Sequence, residues 1–232
     1  MRKSWIVLGI ALAVATPVAA GAPRILEGNV PVNGLETVQL DAGVGDIEIT
    51  AIEGADEVSI EVQLKPRRGG FFSSMKKAQS EVDEAELRMD VSKGVLRLEI
   101  ETESDDRHFE EKWIIEVPSR LMVKLEHGVG DVTIRGVTAG VELDSGVGDV
   151  EVVVPEGDVN IDLGVGTAVV RAPAAVYGTA EAAGGVGSAR LEVKGEEIES
   201  GGFVSKSASW SGDGMYRISV AVGVGDAVIE LE

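Results

Sequence analysis

The sequence predicts an all-β fold, a β-solenoid or β-roll of stacked coils of about 18–20 residues with Gly-Val-Gly turns, plus a short helical or loop excursion near residues 66–85. Three observations predict it. The triplet recurs as Gly43–Gly45, Gly128–Gly130, Gly146–Gly148, Gly164–Gly166, Gly185–Gly187 and Gly223–Gly225, with the central three starting 18 residues apart. A polar residue follows each one: Asp46, Asp131, Asp149, Thr167, Ser188 and Asp226. An alternating apolar run comes next, as in Val132 and Ile134, Val150 and Val152, Ala168 and Val170. Alternation with period two is the mark of a half-buried strand, and stacking such units would bury the apolar rows as one core. Val132, Val150 and Ala168 should then line one inward column, and Ile134, Val152 and Val170 the next. The glycines suit a turn that needs positive φ. The polar residue after each turn is expected to bond its own backbone.

Along the chain, residues 1–22 read as an export signal. Arg2 and Lys3 precede an apolar stretch from Trp5 to Ala15, and small residues offer cleavage after Ala20 or Ala22. The stretch is short for a bilayer span, and no second apolar run follows, so the mature chain is expected to lack a transmembrane segment and to be periplasmic, extracellular or at the cell surface. Residues 23–232 read as one β-strand-repeat domain, less regular over 23–127 and regular over 128–232. Val58–Leu64 alternates cleanly. Pro66 to Gly70 is a basic loop, and Phe71–Glu84 has the composition of a short helix or an excursion able to touch a partner. Leu87–Val91 and Val95–Ile100 around Lys93-Gly94 predict a hairpin. Glu101–Glu111 reads as a charged loop, and Trp113–Val117 and Leu121–Leu125 as strands. Glycines 184–185 and 201–202 mark turns late in the chain. Phe203 and Trp210 read as packing or capping residues, and Tyr216–Leu231 as a final turn-containing strand pair that docks the end of the chain.

Composition narrows the function. Residues 1–22 hold two basic residues and no acid, so the mature chain carries 19 basic against 40 acidic residues, a net charge of −21. Nucleic acid, which requires clustered Lys and Arg, is excluded as an expected partner. The chain has no cysteine, so packing rather than disulfides must hold an exported fold.

The run from Ile114 to Val152, IIEVPSRLMVKLEHGVGDVTIRGVTAGVELDSGVGDVEV, together with the closing GMYRISVAVGVGDAVIELE, resembles the exported bacterial β-strand repeat proteins grouped as DUF4097 and labelled as adhesin domains. The resemblance covers roughly residues 36–232. It implies a parallel β-solenoid or roll and an envelope location, and it implies no chemistry and no catalytic residues.

The site inventory is thin. Asp46, Asp131, Asp149 and Asp226 form a weak metal-ligand series. The calcium-binding nonapeptide places its Asp two residues after the last Gly, where this chain has Ile47, Val132, Val150 and Ala227. No cofactor is expected. His108 and His127 are the only histidines and have no metal-ligand spacing. Ser73 with Lys76, and Ser74 with Lys77, match a nucleophile motif formally but lack its companions. The outward slots Glu48, Thr133, Glu151, Val169, Arg190 and Val228 do not pair carboxylates, which leaves Glu142, Glu151 and Asp162 as the residues a sugar-cleaving site would use. The expected function is non-enzymatic, an adhesin-like or envelope-binding module whose partner is an envelope component or protein, with self-association possible in principle through strand edges. The competing expectations are a carbohydrate-active enzyme and a self-assembling scaffold.

Overall fold

In the computed structural model, the Gly-Val-Gly triplets at Gly43 and Gly128 lie side by side although 85 residues separate them in sequence. The structure describes residues 23–67, 75–103, 107–198 and 206–232. The expected export signal, residues 68–74 of the basic loop with Ser73 and Ser74, Gly201-Gly202 and Phe203 lie outside the described residues.

The strands run in chain order as β1 (Arg24–Pro31), β2 (Thr37–Ile52) and β3 (Glu57–Pro66), then helix α1 (Met75–Glu84). They continue as β4 (Glu86–Ser92), β5 (Val95–Glu101), β6 (Phe109–Pro118), β7 (Met122–Val129), β8 (Val132–Arg135), β9 (Val141–Val147), β10 (Val150–Val153) and β11 (Val159–Ala172). The last four are β12 (Tyr177–Val193), β13 (Glu196–Ile198), β14 (Lys206–Ser211) and β15 (Tyr216–Leu231).

The alternation was read in the correct register. Ile47, Val132, Val150, Ala168, Ala227 and Ala189 are successive register partners, as are Ile49, Ile134, Val152, Val170, Ile229 and Leu191. On the other side of the triplets, Leu40, Leu125, Leu143, Ile161, Val220 and Ala182 form a matching column. All eighteen side chains are buried.

The solenoid or roll is nevertheless the wrong architecture. Parallel pairings close a ring of six strands, β2–β7–β9–β11–β10–β8 and back to β2, so the core is a closed parallel β-barrel with the other strands outside it. Closure has a definite cause. The strands β2 and β11 run unbroken through their triplets, so each pairs on both sides of the corner and joins the two layers. Strand order departs from a stack as well. The last strand, β15, inserts between β11 and β12 and pairs in parallel with both. β15 therefore lies inside the sheet rather than forming a further coil at its edge.

The irregular segment between the first two triplets is an insertion on one side of the barrel. Its strands β5 and β6 add to the two halves of β2, while β4, β3 and β1 extend them antiparallel. The predicted hairpin is β4–β5, with Lys93 at φ 53° and Gly94 at φ 78° as the two left-handed residues of a tight turn. The stretch expected to be a loop up to Glu111 is already strand from Phe109. The helix covers Met75–Glu84, and Trp210 packs half-buried from β14.

Candidate interaction surface

The triplets do more than turn the chain. At Gly148, φ is +148°, and a Cβ would sit 1.9 Å from the Gly130 carbonyl oxygen of the neighbouring strand. The corner therefore closes only without a side chain at that position, and the same backbone approach repeats from strand to strand.

Five of the six polar residues after the triplets bond the neighbouring strand through their side chains, not their own backbone as expected. Asp46 accepts from the Asp131 N–H at 3.2 Å, Asp131 from the Asp149 N–H at 3.0 Å, and Asp149 from the Thr167 N–H at 3.0 Å. Asp226 accepts from both the backbone N–H and the hydroxyl of Ser188, at 3.0 and 2.5 Å. These carboxylates are structural acceptors that tie corner to corner. Among the described residues, no three His, Cys, Asp or Glu side chains converge as a metal site.

The middle valine of each triplet is what the corner exposes. Val44, Val129, Val147, Val165, Val224 and Val186 are register partners on adjacent strands. The last five are 44–65 % exposed. At about 4.8 Å per strand, the six valines from Val44 to Val186 make an apolar ridge about 24 Å long. One flank carries the exposed ladder Asp41, Glu126, Asp144 and Asp162, and the other carries Asp46, Asp131, Asp149 and Asp226. Between the ridge and the first ladder runs a groove of about 1070 Å³, floored by Gly128, Gly146, Gly164, Gly185 and Gly223. Arg107 reaches Gly43 at one end of this row, and Lys206 lines the other end. The sequence contained the signal for the ridge, since a valine sits in every triplet. What it lacked was the direction in which those valines point.

The remaining candidates do not assemble a reaction centre. His127 and Ser145 lie beneath the groove, both buried. The His127 Nε2 is 2.9 Å from the Gly45 carbonyl oxygen, so it carries the proton, and Nδ1 accepts from the Ser145 hydroxyl at 3.4 Å. Burial holds the imidazole below its ordinary value, against the upward pull of the Gly45 carbonyl and of Asp46 and Asp131. The Ser145 side chain faces the core, so the contact satisfies two polar groups and offers no nucleophile to solvent. His108 is bound to Glu81 at 3.0 Å, which docks α1. Lys76 and Lys77 stand exposed on α1. Glu142 pairs with Lys124, and Glu151 pairs with Arg135 and Arg171. Asp162 is in register with Asp144, two residues out of step with Glu142, and Glu151 lies beyond the corner. The three carboxylates are not brought together. The outward slots Glu48, Thr133, Glu151, Val169, Val228 and Arg190 do form one register row.

No family model and no curated protein matches the chain. Among solved structures, the chain is similar to a protein from Clostridium sporogenes ATCC 15579 described as a candidate cell adhesion protein. The TM-score is 0.60 at 21 % identity, over 90 % of this chain and 100 % of that one. A candidate adhesin from Bacteroides fragilis NCTC 9343 aligns at TM-score 0.33 and 15 % identity, over 88 % and 96 % of the two chains. A candidate lipid binding protein from Parabacteroides distasonis ATCC 8503 aligns at 0.28 and 10 %, over 90 % and 97 %. The first likeness shows a shared fold, and the other two are too distant to carry an argument. The resemblance to DUF4097 rests on the residues quoted for it. Among the described residues, no helix is long and apolar enough to cross a membrane.

Proposed function

We propose that the protein is an exported, non-enzymatic, adhesin-like module that binds a component of the cell envelope through the valine ridge and its carboxylate flanks. The carrying observation is the ridge itself. Scattered exposed valines are ordinary on a soluble protein, but five in register at 44–65 % exposure form one continuous apolar line. The fold shared with a candidate cell adhesion protein supports the same reading, as do the separated carboxylates of the expected sugar-cleaving set.

The test is binding of the chain 23–232 to envelope fractions of its source organism, alongside the double variant Val147→Asp/Val165→Asp. Both valines are surface positions, so the variant should fold. Saturable binding to one fraction, weakened at least tenfold in the variant, is the expected result. Absence of saturable binding, or equal binding by the variant, would remove this reading.

A further inference from the structure

The ridge selects its occupant by charge and by pitch. Eight carboxylates line its two flanks: Asp41, Glu126, Asp144 and Asp162 on one side, Asp46, Asp131, Asp149 and Asp226 on the other. A second copy docking ridge to ridge would set eight carboxylates against eight, and like charges juxtaposed across an interface cost several kcal/mol. An anionic surface meets the same repulsion. A partner with apolar residues down its centre and cations on both sides meets none.

Pitch decides the shape of that partner. The valines repeat at about 4.8 Å. An extended strand laid along the ridge repeats its same-face side chains every ~6.6–6.8 Å and falls out of step within two or three rungs. An α-helix repeats its apolar stripe every 5.4 Å per turn and drifts only about 3 Å over the five steps of the ridge. The open groove beside the ridge, about 1070 Å³, leaves room for part of a helix 10–12 Å across, and the rest stays outside. Arg107 and Lys206 bracket the acidic stretch and limit its length.

We infer that the ridge and its glycine-floored groove dock a basic amphipathic α-helix of a partner protein, about 16 residues long. The apolar stripe of the helix runs along the whole row from Val44 to Val186. Its Lys and Arg residues reach the carboxylate ladders on either side. The inference rests on the reading that this face is the working surface, and it adds the chemistry of the partner.

The probe is an 18-residue Leu/Lys helical peptide with Leu at helical spacing, titrated onto the chain 23–232 by fluorescence anisotropy. The control peptide carries Glu in place of every Lys. The Lys peptide is expected to bind at least tenfold more tightly than the control, and more weakly as salt rises. Val147→Asp/Val165→Asp should weaken it at least tenfold. Glu126→Gln/Asp144→Asn should weaken it and flatten the salt dependence, and circular dichroism verifies that both variants are folded. Since any acidic protein attracts a Lys-rich peptide, equal binding by the valine variant would overturn the proposal, as would equal binding of the two peptides. Ridge-dependent self-association in sedimentation, or ridge-dependent binding to phosphatidylglycerol vesicles, would overturn it in favour of another occupant. If the valine variant loses envelope binding while wild type ignores the Lys peptide, the working surface stands and the helix is rejected. Ridge-dependent peptide binding without any envelope binding supports the helix and removes the envelope role.

Discussion

At the scale of single residues, the same amino acid does different work according to what lies beside it. Gly54 and Gly148 both have positive φ, 73° and 148°. Gly54 has nothing within 4 Å of a would-be Cβ, so Gly54→Ala meets only the backbone preference, about 1 kcal/mol. Gly148→Ala adds a 1.9 Å collision with the Gly130 carbonyl oxygen, which the corner relieves only by opening a strand pair. Its expected loss in denaturant unfolding is about 3 kcal/mol or more, and equal losses at the two positions would refute the close-approach argument. His127 gives a pH prediction. Its folded-state value is depressed by burial, so below about 6.5 the unfolded chain takes up a proton that the folded chain refuses. Stability from this group falls as pH drops through that window. Glu111 acts in the opposite sense. Burial raises its carboxyl above the ordinary value, against the downward pull of its bonds from Trp113 and Arg107, so its contribution improves on acidification. The His127→Gln variant keeps a donor for the Gly45 carbonyl and cannot titrate. Its melting temperature should fall less than that of wild type between pH 7 and pH 5, and parallel curves would show that His127 is not the titrating group. None of this was visible in the sequence, where His127 was only a residue before a glycine turn.

At the scale of elements, what could be read was whatever is local. Strand alternation and the β4–β5 hairpin follow from neighbouring residues and lie where the pattern puts them, and α1 is the helical one of the two alternatives open for residues 66–85. Strand β1 was missed because Gly28, Asn29 and Pro31 interrupt its alternation and Ile25 faces solvent. What holds β1 to the rest of the insertion is long-range. The Arg24 guanidinium donates to the carbonyls of Val82, Asp83 and Ala85 at 2.6, 2.7 and 2.8 Å, closing the C-terminus of α1 with a cation where the helix dipole favours one. With α1 only 10 residues long, too short to persist unaided, this contact and the Glu81–His108 pair decide whether it stays helical. Arg24→Ala is expected to speed hydrogen exchange across α1 at least tenfold, equivalent to about 1.4 kcal/mol, while barrel strands such as β9 keep their protection. Unchanged exchange in α1 would mean that packing of Ala78 and Val82 suffices by itself.

At the scale of the whole molecule, a repeat in sequence did not specify how the repeats are ordered in space. The 18-residue period encodes rungs and their register, and those were recovered down to the columns of Val132, Val150 and Ala168. It does not encode that β2 and β11 pass straight through their corners and close a barrel, nor that β15 enters between β11 and β12, because both depend on partners far away in the chain. The two architectures respond differently to loss of the last strand. A solenoid that loses a terminal coil keeps the others, since each coil touches only its neighbours. Here β15 is paired on both sides, with 13 register partners on β11 and 15 on β12. Removing residues 215–232 therefore uncovers Ile161 and Val170 on one side and Ala182 and Leu191 on the other, and detaches β12, β13 and β14 from the barrel. Chain 23–214 is expected to lose cooperative thermal unfolding, followed by circular dichroism, whereas chain 32–232, which lacks the edge strand β1 and with it the Arg24 contact to α1, should retain it. A sharp transition near the wild-type temperature in chain 23–214 would show that β15 is an appendage, and the insertion of the last strand into the sheet would then have no part in holding the barrel together.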